Sequence, residues 1–226
     1  MCATCGCSGP LTHEHTVLIE QDVLARNDEL ARDNRAWLAG RRILAVNLMS
    51  SPGSGKTTLL ERTIRDLSAT MAIAVVEGDQ ETEFDAERIR ATGCRAVQVN
   101  TGAGCHLDAT MLATALRALD PPPRSTVFIE NVGNLVCPAL FDLGESRRVV
   151  VMSVTEGVDK PLKYPHMFRT ADLVLANKVD LLPYLDFPLA TFQAHLSRVN
   201  AHAPVLPLSA TRGDGTSAWY DWLRAL

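Results

Sequence analysis

Eight consecutive residues in the first third of the chain have types and spacing suited to holding phosphates. Residues 50–57 read Ser-Ser-Pro-Gly-Ser-Gly-Lys-Thr and follow an apolar run at 43–49 that is typical of a buried strand. Glycines at this spacing turn backbone N–H groups toward phosphates, and the helix predicted at 57–68 directs its positive end there. Ser50 stands where the usual pattern has its first glycine. The expected nucleotide contacts are Gly53, Ser54, Gly55, Lys56, Thr57 and Thr58, with Lys56 at the β- and γ-phosphates and the Thr57 hydroxyl on Mg²⁺.

A second motif, Asn177-Lys178-Val179-Asp180, follows a strand predicted at 173–177 and indicates guanine recognition. The Asp180 carboxylate can accept from guanine N1–H and the 2-amino group, a pair of donors that adenine lacks. Asn177 is expected to tie the base to the phosphate loop, and the Lys178 stem to pack on the ring. Backbone groups of Ser209 and Ala210, after the last predicted strand, are expected to contact guanine O6. The two motifs together predict GTP rather than ATP.

Acidic residues end two strands that lie between these motifs in the sequence. Asp79 is the expected magnesium-shell residue or the group that orients the attacking water, and with Lys56 it forms the predicted catalytic set. Glu130 is expected to hold Mg²⁺ through a water, and the Gly133 N–H to contact the γ-phosphate. Asp85 is a weaker candidate that is expected to begin a helix. Because no glutamine of the Ras type is evident, we expect slow intrinsic hydrolysis.

Two groups of cysteines predict metal sites. Cys2, Cys5 and Cys7 can wrap three thiolates around one ion, with the α-amino group as a fourth donor, a set that suits planar Ni²⁺ and for which Zn²⁺ can compete. The other group is Cys105, His106 and Cys137. Its members follow the ends of strands that we expect to be neighbours in the sheet, so that they can meet near the nucleotide and hold nickel or zinc. The alternative for this second group is a buried thiol and a turn histidine.

Apolar strands alternate with amphipathic helices along the rest of the chain. Strands are predicted at 43–49, 72–77, 96–100, 126–131, 148–154, 173–177 and 204–208, and helices at 17–38, 57–68, 85–92, 107–119, 187–199 and 217–226. The alternation predicts an α/β fold with a mainly parallel sheet flanked by helices. The first helix is expected to bury a stripe of Val17, Leu24, Leu30, Trp37 and Leu38. We divide the chain into a metal-binding tail at 1–16 and a GTPase domain at 17–226.

Composition excludes several other classes of protein. The 226 residues are 46% hydrophobic and carry a formal net charge of −4, so one domain with a large core is expected and nucleic acid is a poor partner. Neither a membrane span nor a signal peptide is evident, which predicts a cytoplasmic protein.

Most of the chain resembles one family, the hydrogenase nickel-incorporation GTPases known as HypB. The resemblance is carried by the motifs above, by Glu20–Leu24, Glu77-Gly78-Asp79-Gln80 and Cys105-His106-Leu107-Asp108, and most specifically by Glu-Asn-Val-Gly-Asn-Leu-Val-Cys-Pro at 130–138. It implies a P-loop NTPase of the SIMIBI type that forms a homodimer promoted by nucleotide or metal. It also implies a partner nickel chaperone, the hydrogenase large subunit as the recipient, and the tail as a tight nickel site. The chain lacks the long His-rich tract of many members, and only His13 and His15 stand there.

Three other functions compete with that of a nickel-incorporation GTPase. A P-loop kinase would not need the Asn177–Asp180 motif, and a passive metal-storage module would need neither Lys56 nor Asp180. An accessory GTPase for urease or cobalamin is the nearest rival.

Leu181 and Leu185 follow the guanine motif and are either core or, as the resemblance favours, a dimer contact.

Overall fold

The structure is a computed structural model that describes residues 13–79, 83–102 and 104–226, with the backbone alone for 13–21. Its centre is a sheet of seven strands in the order β3-β2-β4-β1-β5-β6-β7, in which every neighbouring pair is parallel. The strands are β1 (Leu44–Ser50), β2 (Ile73–Asp79), β3 (Arg95–Asn100), β4 (Thr126–Gly133), β5 (Arg147–Ser153), β6 (Leu173–Asn177) and β7 (Val205–Pro207). All seven predicted strands are confirmed, with ends within two residues of the predicted ones.

Helices cover both faces of the sheet. They are α1 (His13–Gly40), α2 (Lys56–Leu67), α3 (Phe84–Ala91), α4 (Ala109–Leu119), α5 (Cys137–Leu140), α6 (Lys160–Lys163), α7 (Pro165–Arg169), α8 (Leu189–Ser197) and α9 (Thr216–Arg224), with a 3₁₀ helix at Val179–Tyr184. The short helices α5, α6 and α7 were not predicted from the sequence. Each has proline in its first two positions and is too short to show a helical apolar period.

Consecutive strand residues point to opposite faces, and the core is divided accordingly. Val46 and Leu48 of β1 belong to the cluster under α2 and α9, which includes Phe128 and Trp219. Ala45, on the other side of β1, belongs to the cluster under α1 and α4, and a third cluster lies under α7 and α8. We call these two sides the α2/α9 face and the α1/α4 face. Burial on both faces explains the nearly continuous apolar strands.

The first helix differs from its prediction in start and in buried face. It begins at His13, four residues before the predicted start, and residues 13–16, which we had placed in the tail, are helical. The buried side chains are Asn27, Ala31, Asn34 and Leu38, whereas Leu24, Leu30 and Trp37 are half-buried. An apolar pattern cannot reveal this face, because both asparagines are buried against backbone groups of other segments: Asn34 Nδ2 donates to the carbonyls of Ala109 and Leu143.

Among the described residues, no helix combines the length and the apolar character needed to cross a membrane. The parallel sheet indicates where a ligand site is expected, namely in the loops that leave the carboxyl ends of the strands. In a parallel α/β sheet these loops lie along one edge, and ligands bind there.

Candidate functional site

The loop between β1 and α2 forms the base of the site. Gly53 and Gly55 have φ angles of +71° and +98°, and a Cβ at Gly55 would lie 2.5 Å from Asn177 Nδ2, so glycine is required there. Lys56 Nζ donates to Ser50 Oγ at 2.7 Å, so the serine that replaces the usual first glycine contacts the lysine. Burial lowers the pKa of Lys56, and the surrounding carboxylates, Glu130 foremost, oppose that shift.

Above this loop lies a cleft of about 490 Å³, a size typical of small-ligand sites. Thirteen residues line it, and nine of them were predicted as site residues. The nine are Gly53, Gly55, Lys56, Thr57, Thr58, Asp79, Glu130, Gly133 and Lys178 of the guanine motif. The residues that sequence reasoning did not select are Pro52, Arg88 and Val132, while Asp85 was only a weak candidate. Ser54, Asn177, Asp180, Ser209 and Ala210 are not lining residues.

The guanine motif is fastened to the phosphate loop by two hydrogen bonds. Asn177 Nδ2 donates to the Ser54 carbonyl at 2.8 Å, and Lys178 Nζ donates to the Gly53 carbonyl at 2.6 Å. Asn177 Oδ1 also accepts from the Ala210 N–H at 3.0 Å, which joins the last predicted contact loop to the same point. The structure thus brings three segments together that are far apart in the sequence. Asp180 is half-buried in the 3₁₀ helix that follows.

Buried carboxylates face the phosphate loop from β2 and β4. Thr57 Oγ1 donates to Glu130 Oε1 at 2.8 Å, and Glu77 lies directly across the ladder from Glu130. Burial raises the pKa of Glu130 to about 7, against the opposing effects of Lys56 and the Thr57 hydrogen bond. Burial, followed by the Glu130 charge, raises the pKa of Glu77 to about 8. Oε2 of each glutamate is buried without a hydrogen-bond partner, a condition that a bound cation would relieve.

Sequence reasoning missed Glu77 and Arg88. Glu77 had a detectable signal, since a glutamate at the end of an otherwise apolar, doubly buried strand is unusual, but the prediction assigned the chemistry of that motif to Asp79 alone. Arg88 gave no such signal, because the charges of α3 are typical of an exposed helix. In the structure Arg88 donates to Asp85 at 3.0 Å and to Glu61 at 2.7 Å on the wall of the cleft.

Cys105, His106 and Cys137 come together at the same sheet edge. Their donor atoms all lie within 4.8 Å of one another, and the two sulfur atoms are 2.6 Å apart. The ring of His106 stacks on Phe141 with centroids 3.9 Å apart, and burial lowers the pKa of this histidine, which favours the neutral form that binds metals. The thiol–thiol hydrogen bond is the main cause that raises the pKa of Cys137.

The path by which these residues meet differs from the expected one. We expected the Cys105 segment to leave a strand next to that of Cys137, but β2 lies between β3 and β4. The loop after β3 therefore crosses the end of β2, where Leu107 contacts Gly78 so closely that a Cβ on this glycine would lie 2.7 Å from Leu107 Cγ. Asn134 Nδ2 adds a hydrogen bond to the Cys105 carbonyl at 3.4 Å.

Other predicted residues are placed differently or lie outside the described part of the chain. Cys2, Cys5 and Cys7 fall outside the described residues, as do Gln80 and Ala103, and the side chains of His13 and His15 are not described. Leu181 packs on the third core cluster, so the structure places it with the core, whereas Leu185 is 39% exposed. Tyr184 next to it is 82% exposed.

Fold and site together define the class: a P-loop nucleotide-binding protein with an adjoining cysteine–histidine cluster. Residues 44–207 match the family model described as the CobW/HypB/UreG nucleotide-binding domain, a P-loop GTPase family. The chain is 55% identical over 213 residues to the hydrogenase maturation factor HypB of Rhizobium leguminosarum bv. viciae, covering 94% of this chain and 71% of the relative. It is 57% identical over 205 residues to HypB of Escherichia coli K12, covering 91% and 71%.

Two solved structures are also similar. HypB from Archaeoglobus fulgidus superimposes with a TM-score of 0.83 at 41% identity, covering 89% of this chain and 98% of that one. HypB from Helicobacter pylori in complex with nickel gives 0.82 at 37% identity, covering 88% and 94%. The chain belongs to the HypB family of hydrogenase maturation factors.

Proposed function

We propose that the chain is a GTP-hydrolysing metallochaperone that binds nickel and delivers it for [NiFe]-hydrogenase maturation. The observation that carries the proposal is the position of one short segment, 130–137. At its start Glu130 accepts a hydrogen bond from Thr57 of the phosphate loop, and at its end Cys137 contacts Cys105. Nucleotide and metal would therefore act on the two ends of the same segment.

The proposed nucleotide roles are supported by the contacts of the phosphate loop. Lys56 would exchange its bond to Ser50 for the β- and γ-phosphates, and the Gly133 N–H would meet the γ-phosphate. Asp180 would accept from the two donor groups on guanine, while Ser209 and Ala210 supply backbone contacts to O6. The bond from Asn177 to Ser54 supports this assignment, because it fixes the distance between the base-binding segment and the phosphate loop.

Mg²⁺ would be held by Thr57, Asp79 and Glu130, where it neutralises phosphate charge. The partnerless Oε2 of Glu130 supports a cation at this place. Asp79 would complete the shell or orient the attacking water, and Lys56 would stabilise the charge that develops on the transferred phosphoryl group. None of the described residues that line the cleft is a glutamine. We therefore propose slow intrinsic hydrolysis that needs an additional group from a partner or from a conformational change.

Two metal sites are proposed. The tail residues Cys2, Cys5 and Cys7 would form a tight nickel site, and the cluster of Cys105, His106 and Cys137 an internal site for nickel or zinc. The internal cluster offers two sulfurs and one imidazole with an open fourth position, which suits an ion that must be transferred. One solved relative is a nickel complex, in keeping with a nickel cargo.

The partners would be a second copy of the chain, a nickel chaperone and the hydrogenase large subunit. A homodimer promoted by nucleotide or metal would need an exposed apolar contact near the nucleotide. Tyr184 and Leu185 are exposed directly after the guanine motif and offer such a contact. Leu181, which we had included in this contact, would act from beneath it as support.

Urease is a second candidate recipient of the nickel, because one relative is named for both enzymes. The HypB of Helicobacter hepaticus, named a hydrogenase/urease maturation factor, is 43% identical over 222 residues, covering 96% of this chain and 90% of the relative. In a host that makes both nickel enzymes, deletion of this chain should lower hydrogenase activity and leave urease activity intact. Loss of urease activity on deletion would favour the dual role.

Metal stoichiometry tests the proposal. Titration of the full chain with Ni²⁺ should show two sites, and the triple replacement of Cys2, Cys5 and Cys7 by Ala should leave one, without a change in GTP turnover. Cys137→Ala should remove the other site. Cys94→Ala is the matched control, since this thiol bonds to the Ile73 carbonyl away from the cluster. A Cys137→Ala protein that still binds two ions would contradict the internal site.

A further inference from the structure

Three buried polar side chains are linked on the α1/α4 face of the sheet, among mostly apolar neighbours. Asn47 in β1, Asn131 in β4 and Glu145 just before β5 are 0%, 1% and 6% exposed. Asn47 Nδ2 donates to Glu145 Oε1 at 3.1 Å, and Asn131 Nδ2 donates to Asn47 Oδ1 at 3.4 Å. We call these three residues the amide relay. Burying these polar groups costs free energy that their hydrogen bonds must offset, a cost that apolar side chains at the same positions would not carry.

The carboxylate at one end fixes the direction of every amide in the relay. Glu145 accepts from Arg148 Nε at 2.6 Å and from the Leu143 N–H at 2.8 Å, and its oxygens can only accept. Asn47 must therefore turn its NH₂ group toward Glu145 and its oxygen toward Asn131. Asn131 in turn must direct its NH₂ group at Asn47, which leaves its oxygen pointing away from the relay.

That oxygen holds two loops at once. Asn131 Oδ1 accepts from the Leu107 N–H at 3.2 Å and from the Val132 N–H at 3.0 Å. Leu107 directly follows Cys105 and His106 of the cysteine–histidine cluster. We call the loop that carries these three residues the metal-binding loop. Val132 lines the nucleotide cleft beside Gly133. One amide oxygen thus lies between the backbone of the metal-binding loop and the backbone of the segment that faces the γ-phosphate position.

The end of β4 contacts different loops on the two faces of the sheet. Neighbouring residues of β4 point to opposite faces, so Glu130 contacts Thr57 on the α2/α9 face while Asn131 contacts Leu107 on the α1/α4 face. The side chain of Leu107 is fully buried and presses on Gly78, the neighbour of Asp79 at the end of β2. Both strand ends that face the nucleotide therefore meet the metal-binding loop at Leu107.

We propose that Asn131 is the positioning residue that couples nucleotide state to metal affinity at Cys105, His106 and Cys137. A displacement of 130–133 on γ-phosphate loss would move Asn131 Oδ1, and with it the Leu107 N–H and the adjoining His106 and Cys105. The inference rests on the proposed function, since it needs GTP in the cleft and a metal at the cluster. It adds the residue through which the two sites communicate.

The test measures the ratio of two Ni²⁺ affinities, one with GDP and one with a non-hydrolysable GTP analogue. The protein is the full chain with Cys2, Cys5 and Cys7 replaced by Ala, so that only the internal cluster binds. In this background the ratio should be about 5- to 150-fold, as is typical of coupled sites. Asn131→Ala should bring the ratio within about twofold of one, while Ni²⁺ still binds, because the three ligands remain.

Asn34→Ala is the matched control. Asn34 is also buried on the α1/α4 face and also bonds two backbone groups, at Ala109 and Leu143, but it lies outside the relay. Its loss should lower stability and leave the affinity ratio as it is in the background protein. A merely structural role for Asn131 would make the two variants behave alike.

Asn47→Ala covers the case in which Asn131→Ala does not fold. It removes the partner that orients the Asn131 amide and touches neither loop, so it should at least halve the ratio. An unchanged ratio in a folded Asn131→Ala protein would overturn the inference, as would an unchanged ratio in Asn47→Ala if the first variant is unfolded. A background ratio of one would instead remove the nucleotide switch of the proposed function itself.

Discussion

At the scale of single residues, the site is governed by carboxylates that the fold holds away from water. Glu77 and Glu130 lie side by side on neighbouring strands, each with a buried oxygen that has no partner. Both pKa values are raised, to about 8 and about 7, with burial as the main cause. Without a cation, these pKa values favour the protonated form of Glu77 at neutral pH and leave Glu130 partly protonated. Binding of a divalent ion here is therefore coupled to proton release.

The raised pKa values predict how stability depends on pH in the absence of metal. Between the ordinary value of 4.5 and about 8, the unfolded chain loses the Glu77 proton while the folded chain keeps it. The folded state binds more protons, so the free energy of unfolding falls as pH rises through this window. Glu77→Gln should flatten that fall and raise stability at pH 8 by roughly 1–3 kcal/mol.

Urea unfolding in EDTA across this pH range measures the effect. Glu87→Gln, an exposed glutamate on α3, is the control and should follow the unmodified protein. A Glu77→Gln protein that is no more stable than the control at pH 8 would contradict the raised pKa of Glu77.

Nucleotide choice is a second prediction at this scale. Asp180→Asn should weaken GTP binding by at least about tenfold, since the amide presents a donor where guanine N1–H also donates, and one lost charge-assisted bond is worth about 1.5–3 kcal/mol. The same variant should gain affinity for xanthosine triphosphate. Competition binding measures both, with the exposed Asp186→Asn as control. Unchanged GTP affinity in the Asp180 variant would remove the guanine-recognition assignment.

At the scale of elements, α3 brings a cation to the cleft that no pattern predicted. Arg88 is held by Glu61 and Asp85 at the cleft wall and also donates to Thr58 Oγ1 at 3.2 Å. We expect it to exchange these contacts for a phosphate oxygen. Arg88→Ala should lower GTP affinity by about tenfold, the loss of one charged hydrogen bond.

Arg65→Ala is the matched control for this change. Arg65 also contacts Glu61, at 3.9 Å, but it is not among the residues that line the cleft. Calorimetric titration with GTP compares the two variants. Equal affinities in the Arg88 and Arg65 variants would assign Arg88 to the surface of α3 alone.

The 3₁₀ helix Val179–Tyr184 carries the prediction on assembly. Because Leu181 packs on the core, its replacement would confuse unfolding with loss of an interface. The double variant Tyr184→Ser with Leu185→Ser should instead stay a stable monomer in the presence of a GTP analogue and Ni²⁺. Light scattering measures its mass in solution. Leu162→Ser, at another exposed leucine, should leave the association unchanged. A dimeric double variant would place the contact elsewhere.

Some elements could be predicted from the sequence and others could not. Continuous apolar runs were enough to place all seven strands. The motif at 50–57 was enough to select a loop that lines the cleft in the structure, whereas its phosphate contacts stay a prediction. The buried face of α1 escaped prediction because Asn27 and Asn34 read as polar, although each bonds the backbone of other segments. The crossing of β2 by the Cys105 loop depends on strand order, which no local pattern encodes.

At the scale of the whole molecule, the sheet brings the proposed nucleotide and metal residues to one edge from segments that are far apart in the sequence. Parallel strands send every following loop to that edge, so Lys56, Asp79, Cys105, Glu130 and Asn177 need no local proximity in the sequence. The α2/α9 face bears the phosphate loop, and the α1/α4 face bears the metal-binding loop. The sheet itself therefore separates the two sites and also joins them, through the ends of β2 and β4.

The proposed coupling between nucleotide and metal is tested by the affinity of the internal cluster for Ni²⁺ in the two nucleotide states. The protein is the full chain with the three tail cysteines replaced by Ala, titrated with Ni²⁺ in the presence of GDP and of a non-hydrolysable GTP analogue. We expect the two affinities to differ by at least about fivefold and, by linkage, the nucleotide affinities to change reciprocally when the metal binds. Equal Ni²⁺ affinities in the two states would leave a GTPase and a metal site in one chain with no switch between them.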